Sequence, residues 1–146
     1  RPYNVIGPGM GEHLSLQRFA RLILEVKRGL IPPVIEVGNL SAYRDFVAVR
    51  DVVSAFWRLI QTPAAYGQIV NVCTGTPVLM QSALDALLDV SGVAAEVRIN
   101  PKYFRSGDVS INYGSPARLQ QLTGVTPAHS FRMTLQDIWN QLDREV

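Results

Sequence analysis

The chain has 146 residues, enough for one domain with a real core, and 47% apolar against 18% charged residues describes a globular protein rather than a disordered one. A net charge of +2, with no basic stripe and no aromatic platforms, argues against nucleic acid as a partner. No apolar run approaches the roughly 18 residues of a membrane span, and the polar opening Arg1-Pro2-Tyr3-Asn4 is not a signal peptide. The lone Cys73, inside the apolar run Ile69-Val70-Asn71-Val72-Cys73, excludes an internal disulfide framework, suits a cytoplasmic protein and reads as a small buried hydrophobe. Because the first residue is not Met, the chain is expected to be a piece of something longer.

Arg1 to Gly11 places three glycines and two prolines around Val5-Ile6, as a strand end running into a loop does. A helix is expected over about residues 15 to 28, with Leu16, Phe19, Leu22, Ile23 and Val26 inward and Gly29 ending it. Pro32-Pro33 forbids helix, and Val34-Ile35-Glu36-Val37 reads as a strand stopped by Gly38-Asn39. Arg44 to Arg50 alternates as an extended segment. From Asp51, placed as an N-cap, Val52, Val53, Phe56, Leu59 and Ile60 trace one face of a helix. Pro63 to Gly67 reads as a loop and Ile69 to Cys73 as a buried strand. A third helix is expected over about Met80 to Val90, stopped by Gly92, then a strand from Glu96 to Asn100. Pro101 to Asp108 is a loop that holds Lys102, Arg105 and Asp108 close together. Ser115-Pro116 reads as cap and first residue of a short helix ending at Gly124. Thr134 to Asp137 resembles a capping box that opens a terminal helix with Leu135, Ile138, Trp139 and Leu142 inward. The class is α/β in a single domain over residues 1–146, with short strands and about five helices.

No hydrolytic or metal constellation is present in the sequence. His13 and His129 lie in loops without Cys, Asp or Glu at ligand spacing, so both read as surface residues. Gly7-Pro8-Gly9-Met10-Gly11 has the wrong spacing for a dinucleotide fingerprint. The remaining chemistry is a set of loop residues able to hold an anion: Asn4, Asn39, Arg44 and Arg105. An arginine at the mouth of an ordered element can donate two parallel hydrogen bonds to a carboxylate or phosphate, although Arg44 could equally pair with a nearby carboxylate.

Three motifs occur in order: Arg1-Pro2-Tyr3-Asn4-x-x-Gly7-Pro8-Gly9, then Val37-Gly38-Asn39 with Arg44-Asp45-Phe46-x-x-Val49-Arg50-Asp51-Val52-Val53, then Asn71-Val72-Cys73-x-Gly75. Together they resemble the C-terminal, substrate-binding half of an extended short-chain dehydrogenase/reductase acting on nucleotide sugars, the NAD-dependent epimerase/dehydratase family. Pro32-Pro33-Val34-Ile35-x-Val37-Gly38-Asn39 and Arg105-Ser106-x-Asp108-Val109 are similar to its GDP-sugar branch. Within that branch the 4-keto-6-deoxy-mannose reductases come first and the 4,6-dehydratases second.

The resemblance implies a portion of a Rossmann-type fold in which Asn4 meets the diphosphate or sugar and Leu14 to Leu16 line the guanine pocket through backbone. It further implies Asn39 beside the nucleotide ribose, Arg44 and Arg105 on the diphosphate, and Pro2 and Tyr3 near the nicotinamide. It implies NAD or NADP in the intact enzyme, bound mainly by an upstream half, with hydride exchange at C4 of a GDP-hexose. The family's catalytic Tyr-x-x-x-Lys is not found here: Tyr3, Tyr43, Tyr66, Tyr103 and Tyr113 have no lysine four residues later. The piece is therefore expected to bind rather than catalyse. Departures are Gln17 for a usual proline, Leu79 for a Ser or Thr cap and Val125 for a Trp. Without the upstream sheet, the apolar face of the Asp51 helix and the edge of the Ile69 strand are expected to be exposed, which implies association with a second copy or another chain. A non-catalytic nucleotide-binding or scaffold module is the reading from another class.

Overall fold

Strand β3 (Tyr43–Ala48) is paired differently along its two halves. Its C-terminal half runs parallel to β1 (Asn4–Ile6), with Asn4 opposite Phe46 and Ile6 opposite Ala48. Its N-terminal half is flanked by antiparallel β4 (Pro77–Leu79) and by parallel β6 (Ile111–Asn112). A second, two-stranded parallel ladder joins β2 (Val34–Val37) to β5 (Glu96–Ile99). Parallel neighbours need long crossovers. Helix α1 (Ser15–Lys27) lies in the crossover from β1 to β3, and α3 (Met80–Ser91) in that from β2 to β5. The structure is a computed structural model and describes residues 1–104 and 107–145.

One core forms where α1, α3 and α5 (Phe131–Arg144) close over the ladders. Leu16, Ile23, Ile35, Leu84, Leu87, Leu135 and Ile138 are all essentially solvent-free. Full burial of each such side chain contributes about 1.5–3 kcal/mol, which holds three helices on one side of the sheet. Phe46 of β3 stacks on Phe131 at 5.3 Å between centroids, joining the start of α5 to the central strand. A smaller cluster of Val47, Val52, Ala55, Val70, Val72 and Leu119 joins α2 (Val49–Ile60) to α4 (Ala117–Thr123) across the other side.

The α/β class and the five helices match expectation, with several local corrections. Helix α2 begins at Val49 directly after β3, so Asp51 sits in its first turn and is not its cap. The Asp51 carboxylate, almost fully buried, instead accepts from the amides of Ala128 and His129 at 3.1 and 3.0 Å and contacts His129 Nδ1 at 2.8 Å. His129 is exposed, as read from the sequence, and is in addition tied to α2 through this carboxylate. Long-range pairing won over the local cap because the carboxylate satisfies three polar groups there.

Ile69 to Cys73 is not a strand: it is extended, with one bridge from Val72 to Pro2, and Ile69 is 56% exposed. Tyr3 N donates to Val72 O and Val72 N to Arg1 O, both at 3.0 Å, while the Arg1 amino group donates to Val70 O at 2.8 Å and Arg118 Nη1 to Ile69 O at 3.1 Å. The terminal helix is capped by Ser130, whose Oγ accepts from Met133 N at 3.1 Å; Thr134 is already inside it. The short helix starts at Ala117 with Pro116 at the cap position, one residue later than the Ser115 expectation. Strands β4 and β6 were not expected; both are two or three residues long and lack alternation to announce them. Among the described residues no helix is long and apolar enough to cross a membrane.

Candidate functional site

A cavity of about 710 Å³ opens where the C-terminal ends of β1 and β2, the first turns of α1 and the start of β3 meet. This is within the range of small-molecule sites. It gathers six of the residues expected to bind: Tyr3, Asn4, Leu14, Leu16, Asn39 and Arg44. Pro2 does not line it; that residue is exposed and occupied in the bridge to Val72. Arg105 lies outside the described residues.

Each side chain is placed by a local cause. Asn4 is aimed by its own Nδ2, which donates to the carbonyl of Asp45 on the paired strand at 2.9 Å. Asn39 Oδ1 accepts from the amide and hydroxyl of Ser41 at 2.9 and 2.7 Å, an Asx turn that carries the chain from β2 to β3. Leu14 precedes α1, and its carbonyl accepts from Arg18 N at 3.0 Å. Leu16 is buried as part of the core, so only its outer edge reaches the cavity.

Arg44 is the most constrained of them. Its Nη1 donates to the carbonyls of Tyr43 and Val109 at 2.8 and 2.6 Å, and its Nη2 to Asp108 Oδ1 at 2.6 Å. Its side chain is 17% exposed. The carboxylate pairing read from the sequence as the plain alternative is thus present in this state. A guanidinium has five N–H donors, so two remain for an incoming anion.

Next to Arg44 in β3, Asp45 is completely buried yet satisfied. Its oxygens accept from Thr74 N, Thr74 Oγ1 and Gly75 N at 2.9, 2.7 and 2.8 Å, and from Gly114 N at 3.4 Å. Cys73 is buried beside it. Burial foremost, and then the Asp45 charge, push the thiol above its ordinary value, which makes it a poor nucleophile.

Arg18, Tyr103 and Asp108 are among the lining residues not singled out for binding from the sequence. Arg18 holds its guanidinium carbon 4.5 Å from the centre of the Tyr103 ring. The available signal was position: Arg18 falls in the first turn of α1, directly after the Leu14 to Leu16 stretch read as part of the site.

The chain matches the family model for GDP-mannose 4,6 dehydratase over residues 1–138. It is 34% identical over its whole length to GDP-6-deoxy-D-mannose reductase of Pseudomonas aeruginosa, covering 48% of that protein. It is 27% identical over 85% of its length to GDP-6-deoxy-D-talose 4-dehydrogenase of Aggregatibacter actinomycetemcomitans, covering 40% of that protein. The solved structure of RMD from Pseudomonas aeruginosa complexed with NADPH superposes with a TM-score of 0.92 at 32% identity, over all of this chain and 48% of that one. The fold is therefore that of a Rossmann-type α/β reductase, in part. The chain belongs to the GDP-mannose 4,6-dehydratase family, and it spans about half the length of the curated relatives it matches.

Proposed function

We propose that the chain is the nucleotide-sugar-binding lobe of an NAD(P)-dependent GDP-sugar oxidoreductase, of the kind that reduces a 4-keto-6-deoxy-hexose. The observation that carries this reading is the convergence of Asn4, Leu14, Leu16, Asn39 and Arg44 on one cavity, from separate stretches of the chain. Arg44 offers two uncommitted N–H donors, and a phosphate oxygen pair accepts parallel donors of that kind. Asn4 and Asn39 add neutral polar groups able to meet sugar and ribose hydroxyls. The contribution of such a lobe is positioning, which holds the reacting carbon where the cofactor reaches it.

The described residues do not fit a dinucleotide. Between β1 and α1 lie eight residues that include Gly7, Gly9 and Gly11, but their spacing, interrupted by Pro8, is not that of a dinucleotide-binding turn. Nicotinamide chemistry therefore falls to a part outside this chain, and Tyr3 is the one expected cofactor neighbour that faces the cavity. The matched family model favours a second reading, the dehydratase, which binds the same nucleotide half.

The test is a calorimetric titration of the full-length protein with GDP, using UDP and dTDP as controls. Saturable binding of GDP, weakened about tenfold or more by Arg44→Ala, is the expected result. Equal heats with all three nucleotides, or no effect of Arg44→Ala, would sink the assignment. Product analysis with GDP-mannose separates reductase from dehydratase.

A further inference from the structure

We infer that Arg18 selects the base: its guanidinium, seated on the Tyr103 ring, reads the O6 and N7 acceptors of guanine. This rests on the nucleotide reading of the cavity and goes beyond it by assigning specificity to one side chain. Arg44 and Arg18 both line the cavity, and they differ in how their charge is used. Arg44 is paired with Asp108. Among the described residues Arg18 has no carboxylate within 4.0 Å, although Glu12, also in the cavity wall, is paired with Arg21 at 2.7 Å. The Arg18 head group is held by an aromatic face rather than by a counter-ion, so its N–H edge is not consumed.

The ring under it is itself fixed. Tyr103 ends a tight 3-10 turn from Pro101 to Tyr103, closed by Tyr103 N donating to Asn100 O at 3.0 Å. Its carbonyl presses so close to Gly38 that a Cβ there would lie 2.6 Å away, which is why glycine ends β2. Leu14, at the N-terminal cap of the same helix and partly exposed in the cavity wall, supplies an apolar neighbour for a flat base.

The chemistry then follows from base edges. Guanine presents two adjacent acceptors, O6 and N7, to a fork of two donors. Adenine sets its amino donor against the same fork, and a pyrimidine lacks the five-membered edge altogether. Inosine keeps O6, N7 and N1–H and lacks only the 2-amino group, so it separates this contact from any readout of that amino group by Glu12 or Glu36.

The experiment titrates GDP, IDP, ADP and UDP into the full-length protein and its Arg18→Ala, Arg18→Lys and Arg44→Ala variants. The wild type is expected to bind GDP and IDP within a few-fold of each other and ADP and UDP much more weakly. Arg18→Ala should lower GDP and IDP affinity roughly 10- to 100-fold and level the preference over ADP. Arg18→Lys keeps the charge and loses the fork, so its affinity should fall between the two, and it decides the matter should the alanine variant be unstable. If IDP drops to the level of ADP in the wild type, or if Arg18→Ala leaves the GDP preference intact, the inference is overturned. Failure of wild-type protein to bind GDP at all, or indifference to Arg44→Ala, would instead bring down the nucleotide reading beneath it.

Discussion

Asp45 shows how one side chain ties β3 to two distant loops. A carboxylate at zero exposure survives only because four N–H or O–H groups point at it. Asp45→Ala leaves three buried amides unanswered and is expected to cost about 3 kcal/mol, read as a shift in the urea midpoint. Thr74→Val removes one hydroxyl contact and should cost about 1 kcal/mol. Cys73 next to it makes a pH prediction. Its thiol titrates above the ordinary value of 9.0 in the folded chain. A raised value means the folded state keeps its proton longer than the unfolded one, so this contribution is complete below that ordinary value and is lost as pH rises through the folded one. Alkylation by iodoacetamide at pH 8 should accordingly be slow in the native protein and fast once it is unfolded in urea; equal rates would show the thiol is accessible.

Among the elements, helix starts decide between local and long-range signals. Ser130→Ala should cost about 1 kcal/mol in thermal unfolding, because its hydroxyl answers Met133 N. Asp137→Ala should move stability by less than about 0.5 kcal/mol, since its carboxylate meets only Arg50 at 3.8 Å on the surface. The reverse order would restore the capping box read at Thr134. That box and the Asp51 cap failed differently: Asp51 meets amides 77 and 78 residues away, whereas the box at Thr134 was pre-empted by a local cap, Ser130, four residues earlier. The inward faces of α1, α3 and α5 were legible because the 3.6 period reports burial directly. Strands β4 and β6 were not, because two or three residues carry no period. Asn4, Asn39 and Arg44 were legible as polar residues that could share a site, and they line one cavity, but Asn4 and Arg44 stand on β1 and β3 rather than in loops; Arg18 looked like any solvated charge until Tyr103 was placed under it.

For the whole molecule, the decisive feature is the outer face of α2. Val53, Phe56, Trp57 and Ile60 are between 44% and 65% exposed, an apolar stripe on a helix that buries only Asp51, Val52 and Ala55. Exposed apolar area of this kind drives association. This chain expressed alone is expected to self-associate, with light scattering giving a mass that grows with concentration. Replacing Phe56 and Trp57 by Ser should restore a smaller species, while a strict monomer at all concentrations in the unaltered chain would refute the expectation.

The carboxylate of Asp45 also sets a timetable. Its partners lie 29, 30 and 69 residues further along, and the last of them is Gly114. Synthesis delivers the chain from its N-terminus, so the strand that carries Arg44 leaves the ribosome long before the residues that secure its neighbour. Until Gly114 and β6 emerge, that strand has an open edge and a carboxylate lacking one donor. A nascent chain arrested short of residue 114 is therefore a better client for chaperones than one arrested after β6 has paired, and the binding cavity is completed late in translation.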